Sequence, residues 1–182
     1  MSATDDIVLY PGEVLGEECA PIDVIDAETK RLANRMLKTM YAADGCGLAA
    51  PQVGVPVQLV VIDVSYDGRK NRNPYVLINP EIVAADGEEL VSGEGCLSFP
   101  GITVPVARPS HVVVRARDLE GRLMQYEASN NLLCICLQHE IDHLHGTTMI
   151  DHLSLADRSE ALEAYHEALE SGARPGDVSV GE

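Results

Sequence analysis

Hydrophobic positions along the chain change period several times, and each change marks an element. Over 26–43, Leu32, Met36 and Met40 share one stripe with Ala33 and Leu37 beside them, which predicts an amphipathic helix. Asp26 can cap it, Glu28 sits in its first turn, and Asp44-Gly45 ends it. The run over 58–64 (QLVVIDV) is short, apolar and β-branched, as a buried strand requires. Asp67-Gly68 marks a charged turn, and 75–79 (YVLIN) is a second strand closed by Pro80, which Ile82-Val83 can resume before an Asp86-Gly87 turn. Val104 and Val106 alternate with Pro105 and Ala107, the pattern of an edge or irregular strand. Strands over 112–117 and 122–128 flank Asp118 and Gly121 and read as a hairpin. Shorter strand segments are expected over 7–9, within an extended arm covering 1–22, and over 147–150.

Two further helices follow. One has an apolar run (Leu132, Leu133, Ile135, Leu137), caps at Ser129-Asn130 and a stop at Gly146. The other covers 159–170 with Leu162, Tyr165 and Leu169 on one stripe, and the tail over 173–182 is expected to fray. Repeats and internal boundaries are absent, so 1–182 reads as one domain.

Charge narrows the choice of partner. Lys and Arg number 13 against 29 Asp and Glu, a formal charge of −16, which argues against nucleic acid or an anionic membrane. The five cysteines are odd in number and unevenly spaced, which favours a reducing compartment. An acidic N-terminus and the lack of a long apolar run predict neither signal peptide nor membrane span, hence a cytoplasmic protein.

The candidate chemistry lies over 133–146, LCICLQHEIDHLHG. In HEIDH, His139 and His143 stand four residues apart, so a helix puts both imidazoles on one face with Glu140 beside the first. Such a pair can ligate a divalent metal while the carboxylate takes a proton from water. A third ligand is needed, and His145, His152, Glu160 and Cys96 are all candidates. The stretch over 45–54, GCGLAAPQVG, is too glycine-rich for a helix interior. It is either a plain loop or a tight passage where backbone amides approach a ligand.

Three segments taken together resemble the peptide deformylases, whose motifs have the forms GxGLAAxQ, EGCLS and QHExDH. Here they read Gly45-Cys46-Gly47-Leu48-Ala49-Ala50-Pro51-Gln52, Glu94-Gly95-Cys96-Leu97-Ser98 and Gln138-His139-Glu140-Ile141-Asp142-His143. The resemblance implies an α+β fold, with antiparallel sheets around a central metal-binding helix, an N-terminal helix and a C-terminal helix. It implies removal of the formyl group from the N-terminal N-formylmethionine of newly made polypeptides. By the same likeness Cys96, His139 and His143 hold Fe2+, for which Ni2+, Co2+ or Zn2+ can substitute. Glu140 is the proton carrier, and Gln52 with the Leu97 backbone N–H stabilises the oxyanion. Gly45, Cys46, Gly47, Glu94, Ile135 and Cys136 make up the substrate-binding set. The implied partners are formyl-methionyl N-termini and, transiently, the ribosome, with a monomer as the working unit.

One departure stands out. Relatives often carry an arginine about seven residues beyond the motif cysteine, where this chain has Thr103; the nearest basic residue is Arg108. Two rival readings are a zincin-type metallopeptidase, with its third ligand at His152 or Glu160, and a catalytically silent metal-binding interaction protein.

Overall fold

A computed structural model describes residues 3–66 and 71–178. The expected Asp67-Gly68 turn lies outside the described residues. The elements are helix α1 (Ala27–Ala42), strands β1 (Gly47–Ala49), β2 (Leu59–Ile62), β3 (Tyr75–Cys96), β4 (Phe99–Arg117) and β5 (Leu123–Ser129), then helices α2 (Leu132–Leu144) and α3 (Leu155–Glu170). The strands form one antiparallel sheet in the order β1-β2-β3-β4-β5. The fold is α+β, as expected.

Alternation along β2 explains how two helices share this sheet. Val60 and Ile62 face one side and pack with Leu137, Ile141 and Leu144 of α2. Leu59 and Val61 face the other and pack with Ala33, Met36 and Met40 of α1. A third cluster seats Ala161 and Tyr165 of α3 against Phe99, Val104 and Val106 of β4. Helix α2 is therefore buried among strands, and its polar residues stand in a low-dielectric interior.

Several elements differ from expectation. The Asp86-Gly87 pair does not turn the chain: β3 runs on to Cys96, and Gly87 takes φ +87° within an irregularity of register between Asp86 and Glu89. A left-handed glycine suits a bulge as well as a hairpin turn. Another irregularity, between Glu94 and Cys96, marks the end of β3. Pro105 and Pro109 sit in the part of β4 that β5 does not pair with, so no ladder hydrogen bond to β5 needs the N–H groups they lack. The segment over 7–9 forms no strand, although Val8 N–H donates to Gln52 O at 2.8 Å. Met149–His152 is a 3₁₀ turn where a strand was expected, closed by Asp151 accepting from Thr148 N–H. The α2 cap is Asn131, one residue beyond the expected pair, and α3 starts at the Ser154 cap, before the expected 159.

Candidate metal centre

Helix α2 brings His139 and His143 one turn apart with their ring centroids 5.2 Å from each other, both buried. Cys96, at the end of β3, faces them. One ligand atom from each of Cys96, His139 and His143 can be chosen so that all lie within 4.8 Å of one another. Cys96 Sγ is 3.3 Å from His143 Nε2. A tetrahedral ion with thiolate and imidazole bonds of about 2.3 and 2.1 Å needs S···N separations near about 3.6 Å, so a modest adjustment admits one ion. Among the described residues no other group of His, Cys, Asp and Glu meets this geometry. His152 instead contacts Asp142, His145 contacts Glu18, and Glu160 is exposed on α3. The geometry thus offers Cys96 as the third donor, where a zincin would use His152 or Glu160.

The charge state of the centre has physical causes. Burial holds His143 well below the usual imidazole range, aided by the positive charges of His139 and Arg108. That keeps it neutral, as a ligand must be. His139 Nδ1–H donates to Glu94 Oε2 at 2.8 Å, leaving Nε2 for the ion. Burial alone would raise Glu94, but hydrogen bonds from His139 and Arg108 outweigh it and lower its carboxyl to about 2. Arg108 donates from Nε and Nη2 to Glu94 and from Nη1 to Asp142 Oδ2, which also contacts His152 Nε2 at 2.7 Å. A continuous ionic brace therefore runs from His139 through Glu94 and Arg108 to Asp142 and His152.

This brace takes up two residues near the pocket. Glu94 edges the side-chain pocket, but its two carboxylate oxygens are engaged by His139 and Arg108 rather than offered to substrate. Arg108 is buried in the same brace and does not replace the missing arginine at Thr103, which lies exposed beside Gly93.

The opposite side is a cleft lined by Gly45, Cys46, Gly47, Gln52, Cys96, Leu97, His139 and Glu140. Beside it a smaller pocket is lined by Cys46, Glu94, Leu132, Ile135, Cys136 and Glu140. These two cavities adjoin the Cys96, His139 and His143 cluster, whereas His145, His152 and Glu160 lie elsewhere. Gln52 is buried, its Oε1 accepting from Ala49 N–H at 2.8 Å. Its Nε2 donates to Ser98 Oγ at 3.2 Å and stands 3.4 Å from Cys96 Sγ. Gly47 passes so close to Glu140 that a Cβ would collide with the carboxylate. Buried Glu140 Oε2 has no hydrogen-bond partner. Burial is the largest influence on this carboxyl and raises it to about 8, against the opposing charge of His139. An ion ligated beside it, carrying water, would give that oxygen its partner, so the residues present fit a bound metal.

Sequence reasoning missed the brace and the tail. Gly176, Asp177 and Val178 line the same cleft, and Gly101 N–H donates to Asp177 O at 2.9 Å. Gly176, at φ +101°, lies against the Ala43 carbonyl where a Cβ would collide. The only signal was glycine and proline in the tail, which reads equally as disorder.

A family model described as Polypeptide deformylase matches residues 4–159. The chain is 47% identical to the peptide deformylase of Hydrogenovibrio crunogenus over 88% of this chain and 92% of that protein. It is 45% identical to that of Alkalilimnicola ehrlichii over 97% and 94%. Among solved structures, the Legionella pneumophila peptide deformylase superposes with a TM-score of 0.83 at 40% identity, covering 91% of this chain and 96% of that one. The Synechococcus elongatus enzyme, solved in complex with actinonin, gives 0.81 at 41% identity over 86% and 85%. With its Cys-His-His cluster between the end of β3 and α2 and the matched fold around it, the chain belongs to the peptide deformylase family.

Proposed function

We propose that this chain hydrolyses the formamide at the N-terminus of new polypeptides, releasing formate and a free methionine amino group. One observation carries the reading: Glu140, buried and unpartnered at Oε2, lines the cleft that Cys96 and His139 share with the open backbone of Gly45 and Gly47. A divalent cation held by Cys96, His139 and His143 would supply a Lewis acid for the formyl oxygen and lower the pKa of water. Thiolate with two imidazoles suits Fe2+, and Ni2+, Co2+ or Zn2+ can take its place.

The protein's own groups do the rest. Glu140, with a carboxyl at about 8, takes the proton from the attacking water and returns it to the departing amine. A cation on the adjacent ligands lowers that value and favours the base form. Negative charge grows on the formyl oxygen, and Gln52 Nε2–H, turning from Ser98 and Cys96, meets it together with the Leu97 N–H. Gln52 can do so because Ala49 N–H fixes its Oε1 and orients the amide. Substrate backbone lies along Gly45 and Gly47, and the methionine side chain enters the pocket of Cys46, Ile135 and Cys136, where polarizable sulfur contacts a thioether. The tail over 176–178 walls the path of the residues that follow. One chain completes the cleft, so a monomer suffices, working in the cytoplasm where chains leave the ribosome.

The test is formate release from a formyl-Met-Ala peptide by anaerobically purified, metal-loaded protein, with acetyl-Met-Ala as the control. Formate from the first and no cleavage of the second is expected. Cleavage of internal peptide bonds, or bound metal without formate, would overturn the reading.

A further inference from the structure

One feature of the side-chain pocket goes beyond what binding methionine requires. Cys46 Sγ and Cys136 Sγ lie 3.9 Å apart, brought together from the start of the β1 segment and from α2. Cys136 Sγ is also 3.7 Å from the Cys46 carbonyl. The next residue is Gly47, where a Cβ would stand 2.7 Å from Cys136 Sγ, so only a glycine lets this backbone pass the thiol. Cys46 is half-buried and opens to both the cleft and the pocket, whereas Cys136 is buried and lines the pocket alone. The other three thiols are placed differently: Cys96 is in the candidate ligand set, Cys134 Sγ turns to the Pro109 carbonyl at 3.7 Å, and Cys19 is buried in the core. Cys134 and Cys136, two apart on the helix, point to different sides of it.

The geometry points to Cys46 and Cys136 as a peroxide-sensitive dithiol that closes to a disulfide across the side-chain pocket. This rests on the proposed function only for its consequence, not for its chemistry. A hydroperoxide entering through the cleft meets Cys46 first. The Cys46 sulfur attacks the outer oxygen and the O–O bond breaks, giving Cys46 sulfenic acid and an alcohol, or water from hydrogen peroxide. Cys136 sulfur then attacks the Cys46 sulfur; the S–O bond breaks, water leaves with the thiol proton, and the S–S bond forms. Two thiols are oxidised by two electrons and one peroxide is reduced. An S–S bond of about 2.05 Å draws the sulfurs together and pulls the Cys46 backbone toward α2. That narrows the slot for methionine and disturbs Gly47, which packs on Glu140.

The experiment uses nickel-loaded protein, so that iron oxidation does not contribute. Protein is treated with a few equivalents of hydrogen peroxide, blocked with an alkylating agent and mapped by mass spectrometry without reduction. A linked peptide joining Cys46 and Cys136, two hydrogens lighter than the pair of free thiols, is expected. Nickel content should be unchanged, and formate release should fall at least tenfold and return with dithiothreitol. Cys136→Ser and Cys46→Ser, each compared with its own untreated rate, should lose less than twofold. Peroxide that leaves both thiols free, oxidises Cys46 to a sulfinic acid without linkage, or attacks only Cys96 would overturn the inference, whatever the variants do. Linkage in a protein that releases no formate even before treatment would refute the proposed function and leave the dithiol standing.

Discussion

The two sides of the metal centre are built on opposite principles. Behind His139, Glu94, Arg108, Asp142 and His152 satisfy one another through five short contacts. In front, facing the cleft, Glu140 presents an oxygen with no partner, and glycine backbone replaces side chains. The contrast separates holding from reacting. Ligand geometry needs an over-determined support, because a loosened imidazole loses the ion. Chemistry needs groups whose partners come and go, and those must be left unsatisfied in the resting fold.

Removing the reactive carboxylate gives the largest expected effect. Glu140→Gln keeps size and polarity but cannot carry the proton; formate release should fall by about 10²–10⁴-fold, toward the upper end because one residue serves two transfers. Metal content should stay at the wild-type level, and a loss below tenfold with full metal would remove Glu140 from the mechanism. Next is Gln52→Glu, which places negative charge where the oxyanion forms. A fall of about 10²–10³ in kcat is expected, with little change in KM, since oxyanion donors act chiefly in the transition state. Near-normal kcat, or a loss matched by unfolding, would assign Gln52 to the loop alone.

Breaking the rear side should look different. Glu94→Ala should weaken metal binding by about 10–100-fold and, by stranding the Arg108 charge, destabilise the fold by about 3–5 kcal/mol. Metal titration and thermal melts read these separately. The acid behaviour has a definite sign. The Glu94 carboxyl falls from its ordinary 4.5 to about 2, so its stabilisation is full above pH 4.5 and is lost as pH drops through 2. The metal-free wild-type protein should lose stability over that window, and Glu94→Gln should lose this component of the dependence. Truncation after Arg174 should have a milder effect. KM for formyl-Met peptides of three or more residues should rise as the wall at Gly176, Asp177 and Val178 goes, while bound metal stays constant. Smallest at the centre is Asp26→Ala, which removes the α1 cap bonded to Glu28 N–H and Thr29 N–H. It should cost about 1 kcal/mol of stability and leave kcat unchanged.

The same contrast explains what the sequence could reveal. The front of the site was legible, because His139, Glu140 and His143 depend on helical spacing, while Gln52 and Cys96 sit in short motifs that stay contiguous in the fold. The rear was not. Arg108 meets Glu94 and Asp142 only because β4 pairs with β3 and both pack on α2, and no local pattern encodes a contact across three elements. Asp86-Gly87 misled for a related reason: the dipeptide supplies a left-handed residue, but pairing further along β3 decides that it serves a bulge. The tail is a third case. Its position depends on Gly176 fitting against Ala43 and Asp177 meeting Gly101, neither visible in composition.

The central claim is that Cys96, His139 and His143 hold one catalytic ion against which Glu140 works. Titrating metal-free protein anaerobically with Fe2+, while measuring bound ion and formate release on the same samples, tests it most directly. Release should rise in step with occupancy and saturate at one ion per chain, with Cys96→Ala neither binding at that level nor turning over. Full activity at zero occupancy, or one tightly bound ion retained by Cys96→Ala, would contradict it.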